Sequence, residues 1–356
     1  MILLAVLVIP LLAALLAATA PRRAVMEFVN LGAAGVLFAV ACLLAEIAVD
    51  FGPVSLWGKF LYADSLSALV ILLTAFVWLI CAIYAIGYFR REERSENLPL
   101  RKLREFYLLT PLFVCTMLLV ALANNLGLMW VAMEGTTLAS LMLIAFDNRP
   151  TSLEAAWKYA VIGGVGLSLA LFGTILTYYA VSRAAASLDW SELVNQASRL
   201  DPNPIRLGFI LALLGYGTKA GLAPMHTWKP DAYSEAPAPA AAMLAAAVVN
   251  CAIYAIARFG ILAGRCLGPE FPSGLLILFG LLSIGIAVPF ILAQRSFRRL
   301  LAYSSIDQAG IIVLGLGFGG QYGALGALLQ MTFHSVVKPM LFFCAGNIQQ
   351  QYHTDL

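Results

Sequence analysis

Eleven apolar stretches dominate the sequence, near residues 2–20, 28–49, 64–88, 106–123, 126–146, 157–181, 205–223, 238–262, 274–294, 299–318 and 322–346. At about 1.5 Å per residue, helices of this length cross a hydrocarbon slab ~30 Å thick. A helix also satisfies its own backbone groups in lipid, which an open strand cannot do. The chain is 62% hydrophobic and 12% charged, where soluble domains carry about 25% charged residues. The sequence therefore predicts an all-α integral membrane protein with about eleven transmembrane helices embedded in the lipid bilayer. The first stretch does not read as a cleavable signal, because Arg22 and Arg23 follow it instead of preceding it.

The net charge is only +3, so nothing calls for a nucleic-acid partner. The placement of the charge is more informative. Loops after odd-numbered stretches carry Arg22, Arg23, Arg90, Arg91, Arg94, Arg101, Lys102, Arg104, Arg149, Lys229, Arg295, Arg298 and Arg299. The opposite side carries Lys59, Arg183, Arg199, Arg206, Arg258 and Arg265. The positive-inside bias puts the N-terminus outside and the C-terminus in the cytoplasm, as for a multi-pass protein of a cell inner (plasma) membrane. The mixed-charge run 89–105 reads as a solvated cytoplasmic linker, and 182–204 as a short amphipathic helix or surface turn on the outer face. The cysteines lie far apart without a CxxC pair and read as small buried hydrophobes. Histidines are too few and too scattered for a metal site, and Gly315–Gly320 ends an apolar helix without opening a nucleotide-binding unit.

Charged residues inside the apolar stretches are the chemically telling ones. Lys219 lies about 14 residues into its helix, roughly 21 Å from the start. A charge at the centre of a membrane helix costs about 2.5–3.5 kcal/mol. Burial favours the neutral amine, which makes Lys219 a candidate proton-binding site; the bland alternative is snorkelling along its aliphatic stem. Pro224 follows and leaves the carbonyl of Ala220 without its helical partner. The polar run His226, Trp228, Lys229, Asp231 and Glu235 comes next. Glu134 lies about eight residues into the fifth stretch with no basic residue within a turn. It is either protonated on a backbone carbonyl or served by a cation from another helix, for which Lys219 is the candidate. Lys158, near a helix end, is a second candidate with snorkelling as a serious rival. Asn250, Tyr254 and Arg258 share one helix face, and Asn250 can link proton sites only through water, since an amide does not titrate. Asp307 is a second intramembrane carboxyl, flanked by Ser304 and Ser305. His334 and Lys338 sit at i,i+4 with Pro339 next, a spacing suited to a two-step relay.

Stretches four to eight form a five-helix block entering from the cytoplasm, and stretch nine enters from outside, so a second block would be inverted. Each block carries a carboxyl on its second helix, Glu134 and Asp307. The expected organisation is 1–105 as three helices and the linker, 106–262 as the first repeat with a proton half-channel, and 263–356 as a partial second repeat.

Several runs then resemble a known family. Met133-Glu-Gly-Thr-Thr-Leu-Ala-Ser140, Ser152-Leu-Glu-Ala-Ala-Trp-Lys-Tyr159, Gly217-Thr-Lys-Ala-Gly-Leu-Ala-Pro-Met-His-Thr-Trp228, Arg298-Arg-Leu-Leu-Ala-Tyr-Ser-Ser305 and His334–Lys338 occur in order. They look like the antiporter-like subunits of respiratory complex I, Mrp cation/proton antiporters and group 4 hydrogenases, most of all the hydrogenase-4 component F type. The resemblance runs from about residue 60 to the end. It implies a half-channel around Glu134 and Lys219 with Lys158 and His226 nearby, and an onward path through His334 and Lys338. It also implies other membrane subunits and a peripheral redox arm as partners. No cofactor is expected in this chain; iron–sulfur and nickel–iron or flavin centres would reside in those partners. The sequence departs from the pattern at Asn250, where one type of pumping subunit has lysine. Tyr233 stands in place of histidine after Pro230-Asp-Ala, and Ser296 in place of aspartate. The second repeat is short, so its exit path would be completed by a longer chain or by another subunit.

The leading expectation is a proton-translocating subunit of a redox-driven complex of the hydrogenase-4, formate hydrogenlyase or NADH:quinone oxidoreductase kind. The alternatives are a Mrp-type Na⁺/H⁺ antiporter subunit and a non-pumping membrane scaffold. On the leading expectation, Glu134→Gln impairs proton transport at neutral pH more than Asn250→Ala does, as measured in membrane vesicles; equal losses would reverse that ranking.

Overall fold

The computed structural model describes residues 1–96, 98–181 and 187–352. The helices α1 (Ile2–Thr19), α2 (Arg23–Asp50), α3 (Ser65–Glu96), α4 (Leu100–Leu122), α5 (Leu126–Ile144) and α6 (Pro150–Val181) run in succession. A short surface helix α7 (Trp190–Asn195) leads to α8 (Pro202–Ala220) and the short α9 (Trp228–Glu235). The last long elements are α10 (Ala238–Met243) continuing into α11 (Val249–Leu267), then α12 (Glu270–Ala293), α13 (Phe297–Phe318) and α14 (Gly320–Tyr352). Ten of the described helices are long and apolar enough to cross a membrane, with α10–α11 counted as one span. The remaining apolar stretch, 205–223, is α8, which carries Arg206 and Lys219 and stops at a break.

The run 89–105 is not a linker. Helix α3 extends to Glu96 and α4 begins at Leu100, so most of its charges ride on helix ends. The amphipathic helix expected in 182–204 is α7, followed by one tight turn at Ala197–Arg199; residues 182–186 lie outside the described residues. A small hairpin not expected from the sequence, β1 (Val54–Leu56) with β2 (Leu61–Ala63), joins α2 to α3. Cys81, Cys115 and Cys251 are buried as expected, but Cys42 and Cys344 are exposed.

Small residues let helices approach where lipid supplies no hydrophobic drive. A Cβ added at Gly215 would lie 2.5 Å from the Gly166 carbonyl, and one at Gly173 2.6 Å from that of Gly208, so α6 and α8 touch backbone to backbone. The same device joins α12 and α13 at Gly280 and Gly310. The span α10–α11 is almost wholly enclosed. One π turn, Leu244–Val248, interrupts it. Such turns shift carbonyls out of the helical ladder, and here Tyr233 Oη donates to Leu244 O at 3.0 Å.

Arg258, counted with the outer-side charges and placed on one helix face with Asn250 and Tyr254, is buried within α11. Its guanidinium makes two bonds to Asp64, at 2.7 and 2.6 Å, and a third to Ser67 at 2.9 Å. Trp190 packs on its face at 3.9 Å. This cluster ties the hairpin end of α3 and the surface helix α7 to the central span. Burial pushes the Asp64 carboxyl up, but the Arg258 bonds and charge and the Ser67 amide outweigh it and hold the carboxyl below its ordinary value of 3.8. The stabilisation is therefore complete above 3.8 and disappears as pH falls through the lowered value. Asp64→Asn should cost about 2 kcal/mol at pH 7, the scale of charge-assisted hydrogen bonds. Thermal unfolding in detergent should show a gap to the native protein that closes in acid; a gap unchanged by pH would contradict this account.

Candidate functional site

The site is built on the break between α8 and α9. Helix α8 ends at Gly221 in the left-handed conformation, φ 72°, and Pro224 cannot continue the ladder. Exposed carbonyls at membrane depth must find partners, and side chains supply them. Trp228 Nε1 donates to Thr218 O at 2.9 Å, and Lys229 Nζ donates to Ala220 O at 2.6 Å. The amide of Ala223 donates to Ser283 Oγ at 2.9 Å. The carbonyl predicted to be orphaned by Pro224 is thus the one that Lys229 holds.

Lys219 occupies the last turn of α8 and is buried, so it does not snorkel. Its amine donates to Thr137 Oγ1 at 2.8 Å and to Tyr159 Oη at 2.5 Å, on α5 and α6. Tyr159 Oη also shares a 2.6 Å bond with Ser140. Glu134 lies one turn before Thr137 and acts on Lys219 electrostatically, but the two make no ion pair. The expected Glu134–Lys219 pair is therefore an electrostatic neighbourhood without contact, Glu134 lying one turn before the Thr137 hydroxyl that holds the amine. Two further carboxylates are differently placed: Glu27 pairs with Arg23 and Arg90, and Asp64 with Arg258.

A second group forms around α13 and α14. Lys338 is buried and donates to Ser304 Oγ at 2.7 Å and Leu301 O at 3.3 Å. Asp307, half-buried, sits one turn after Ser304 and within electrostatic reach of Lys338, again without an ion pair. His334 Nε2 donates to Ala245 O at 2.9 Å, a carbonyl of the π turn, which leaves Nδ1 as the atom able to take a proton. Asn250 joins the same helix by donating to Ser335 Oγ at 2.6 Å. Asn250 Oδ1, His334 Nδ1, His226 Nδ1 and Ser305 Oγ are buried without partners among the described residues. Such groups are normally met by ordered water.

The structure thus gathers Lys219 with Glu134, and Lys338 with His334 and Asp307. Asn250 lies on the central span and His226 at the break. Lys158 is not brought to this axis. Its side chain is 47% exposed and pairs with Glu154 at 2.7 Å and Asp231 at 3.0 Å, the latter also held by Arg299 at 2.8 Å. Sequence reasoning missed Lys229, which it placed in a loop. The signal was present: Pro224 predicts a free carbonyl, and Lys229 is the first cation after it.

These features match those of known proteins. Residues 123–356 fit the family model described as NADH:quinone oxidoreductase/Mrp antiporter, transmembrane. A hydrogenase-4 component F homolog of Methylacidiphilum infernorum is 38% identical over 302 residues, covering 84% of this chain and 63% of that protein. NADH-quinone oxidoreductase subunit N of Desulforudis audaxviator is 34% identical, covering 96% of this chain and 69% of its own. An archaeal membrane-bound sulfane sulfur reductase contains a chain that superposes with a TM-score of 0.88 at 26% identity, covering 99% of this chain and 73% of that one. The chain belongs to this family of multi-pass, antiporter-like membrane subunits. It spans a little under two thirds of the hydrogenase-4 relative.

Gly221 carries a further constraint. An added Cβ would lie 2.4 Å from Lys229 Cδ, in a backbone conformation that costs an L-residue about 1–2 kcal/mol. Gly221→Ala should lower the thermal midpoint in detergent and displace the Lys229 amine. Unchanged stability would mean that the break relaxes freely.

Proposed function

We propose that this chain is the proton-translocating membrane subunit of a redox-driven complex of the hydrogenase-4 or NADH:quinone oxidoreductase kind. One observation carries the reading: a fully buried lysine amine is held by two hydroxyls, with a carboxyl one turn away instead of in contact. A permanently paired ammonium would lock its proton in place. An amine on neutral acceptors can lose its proton when a nearby charge changes, and regain it when that charge returns.

The roles follow from the placement. Glu134 sets the charge state of Lys219, with Thr137 and Tyr159 positioning the amine. Asn250 and Ser335 supply polar groups along the central span for bridging water. His334 and Lys338 carry the proton onward, and Asp307 sets the charge state of Lys338 as Glu134 does for Lys219. Lys158 belongs instead to a peripheral charge cluster with Asp231 and Arg299. The energy comes from electron transfer in partner subunits, a peripheral arm with iron–sulfur and nickel–iron or flavin centres. The basic loops favour an inner membrane location with the N-terminus outside and the C-terminus cytoplasmic. Helices α4 to α11 form the first repeat and α12 to α14 the start of an inverted second one.

Lys219→Ala in the assembled complex should abolish coupled proton uptake or release in vesicles while electron transfer continues at least in part. Proton movement at the native ratio in that variant would refute the relay. Electron transfer lost together with complex assembly would instead favour a scaffold.

A further inference from the structure

We infer that Lys229 is a third proton-carrying lysine of this relay, linking the Lys219 site to the His334–Lys338 site across the helix break. The inference rests on the relay reading above and adds a residue to it. Lys229 is 0% exposed, as deeply enclosed as any apolar side chain of the core. Among the described residues no carboxylate pairs with it. Among those residues its amine is held by Ala220 O at 2.6 Å, with the Tyr233 ring 5.8 Å away.

Capping alone does not require a lysine. The neighbouring backbone groups at the same break are met by the neutral Trp228 indole and the Ser283 hydroxyl. A titratable amine has been placed where a neutral donor would serve. Its position also bridges the two groups. The carbonyl it holds belongs to the residue after Lys219. On that side the Trp228 ring packs 4.8 Å from Tyr159, which holds the Lys219 amine, and 5.9 Å from Tyr233. On the other side Lys229 lies in electrostatic range of both Lys338 and His334 on α14.

That neighbourhood supplies the driving step. Two ammonium groups in one enclosed space repel strongly. A proton arriving by water from the Lys219 side adds to the lone pair of the neutral Lys229 amine. The resulting charge opposes a proton on Lys338 and favours its loss to water beside the half-buried Asp307; Lys229 then passes its own proton to the vacated Lys338 amine. Only N–H bonds form and break, and no electrons move. The non-titrating Asn250 then needs only to hold water beside this path.

The test uses the complete complex in native membrane vesicles, with redox turnover and proton movement measured together in three variants. Lys229→Gln keeps a neutral donor for Ala220 O. Lys229→Arg keeps a donor that cannot deprotonate at accessible pH. Lys219→Ala is the control. The expected result is that both Lys229 variants assemble and turn over electrons but lose proton movement to the level of the Lys219 control. Native proton movement with either glutamine or arginine would overturn the inference, reducing Lys229 to a cap. If Lys219→Ala itself pumps normally, the relay reading fails and this inference falls with it. Should arginine prove too large to assemble, the glutamine variant alone decides.

Discussion

The 2.6 Å bond between Lys229 Nζ and Ala220 O is the contact around which the rest is arranged. A transmembrane helix cannot simply stop in mid-membrane, because its last carbonyls would face hydrocarbon. Here the stop is tolerated since Lys229, Trp228 and the tight Gly221 turn consume those carbonyls locally. The break in turn places Lys219 in the last turn of α8, at the negative end of the helix dipole. Without the break, that residue would sit mid-helix, away from the negative end of the dipole. Tyr233, on the helix that follows the break, reaches the π turn through Leu244 O, and His334 reaches the same turn through Ala245 O.

Both buried amines outside the break follow one pattern. Each rests on a hydroxyl, Thr137 for Lys219 and Ser304 for Lys338, and each has a carboxyl one helical turn beyond that hydroxyl. The turn runs backward to Glu134 in one case and forward to Asp307 in the other. The physical sense lies in how Coulomb energy falls with distance. At an effective dielectric of about 20, opposite charges interact by about 4 kcal/mol at 4 Å and about half that at 8 Å. Direct contact would trap the proton, whereas one turn of separation leaves a bias that a change in the neighbouring charge can overcome. The arginine pairs at Glu27 and Asp64 show the other regime, where bidentate or multiple contacts fix geometry and carry no proton.

The helical architecture was legible because each span satisfies its own backbone, so length and hydropathy suffice to mark it. Lys219, Glu134, His334 and Lys338 were legible because charge within an apolar run is costly and therefore visible. Three things were not. Lys229 follows an apolar run and from sequence looks like a loop residue, and Arg258, though placed on a helix face, lies at the end of one; only packing shows that Ala220 O and Asp64 await them. Lys158 reads as intramembrane by position, but the helix face it occupies turns toward Glu154 and Asp231. The hairpin at Val54–Ala63 is three residues per strand, too short for a period-2 pattern to stand out.

The same packing bears on which ion the proposed relay would carry. A sodium site needs several oxygen ligands converging at about 2.4 Å, with net negative charge to offset dehydration. The hydroxyls flanking the two carboxyls are otherwise engaged. Thr136 Oγ1 donates to Met133 O at 2.7 Å, Thr137 accepts from Lys219, and Ser304 accepts from Lys338. A sodium ion brought to Glu134 or Asp307 would thus share its first oxygen neighbours with an amine that repels it whenever protonated. A proton meets no such conflict, because the amine is its acceptor. Three enclosed lysines in series favour a path in which positive charge is carried on nitrogen and passed on, and they disfavour one in which a bare metal cation travels through the same space.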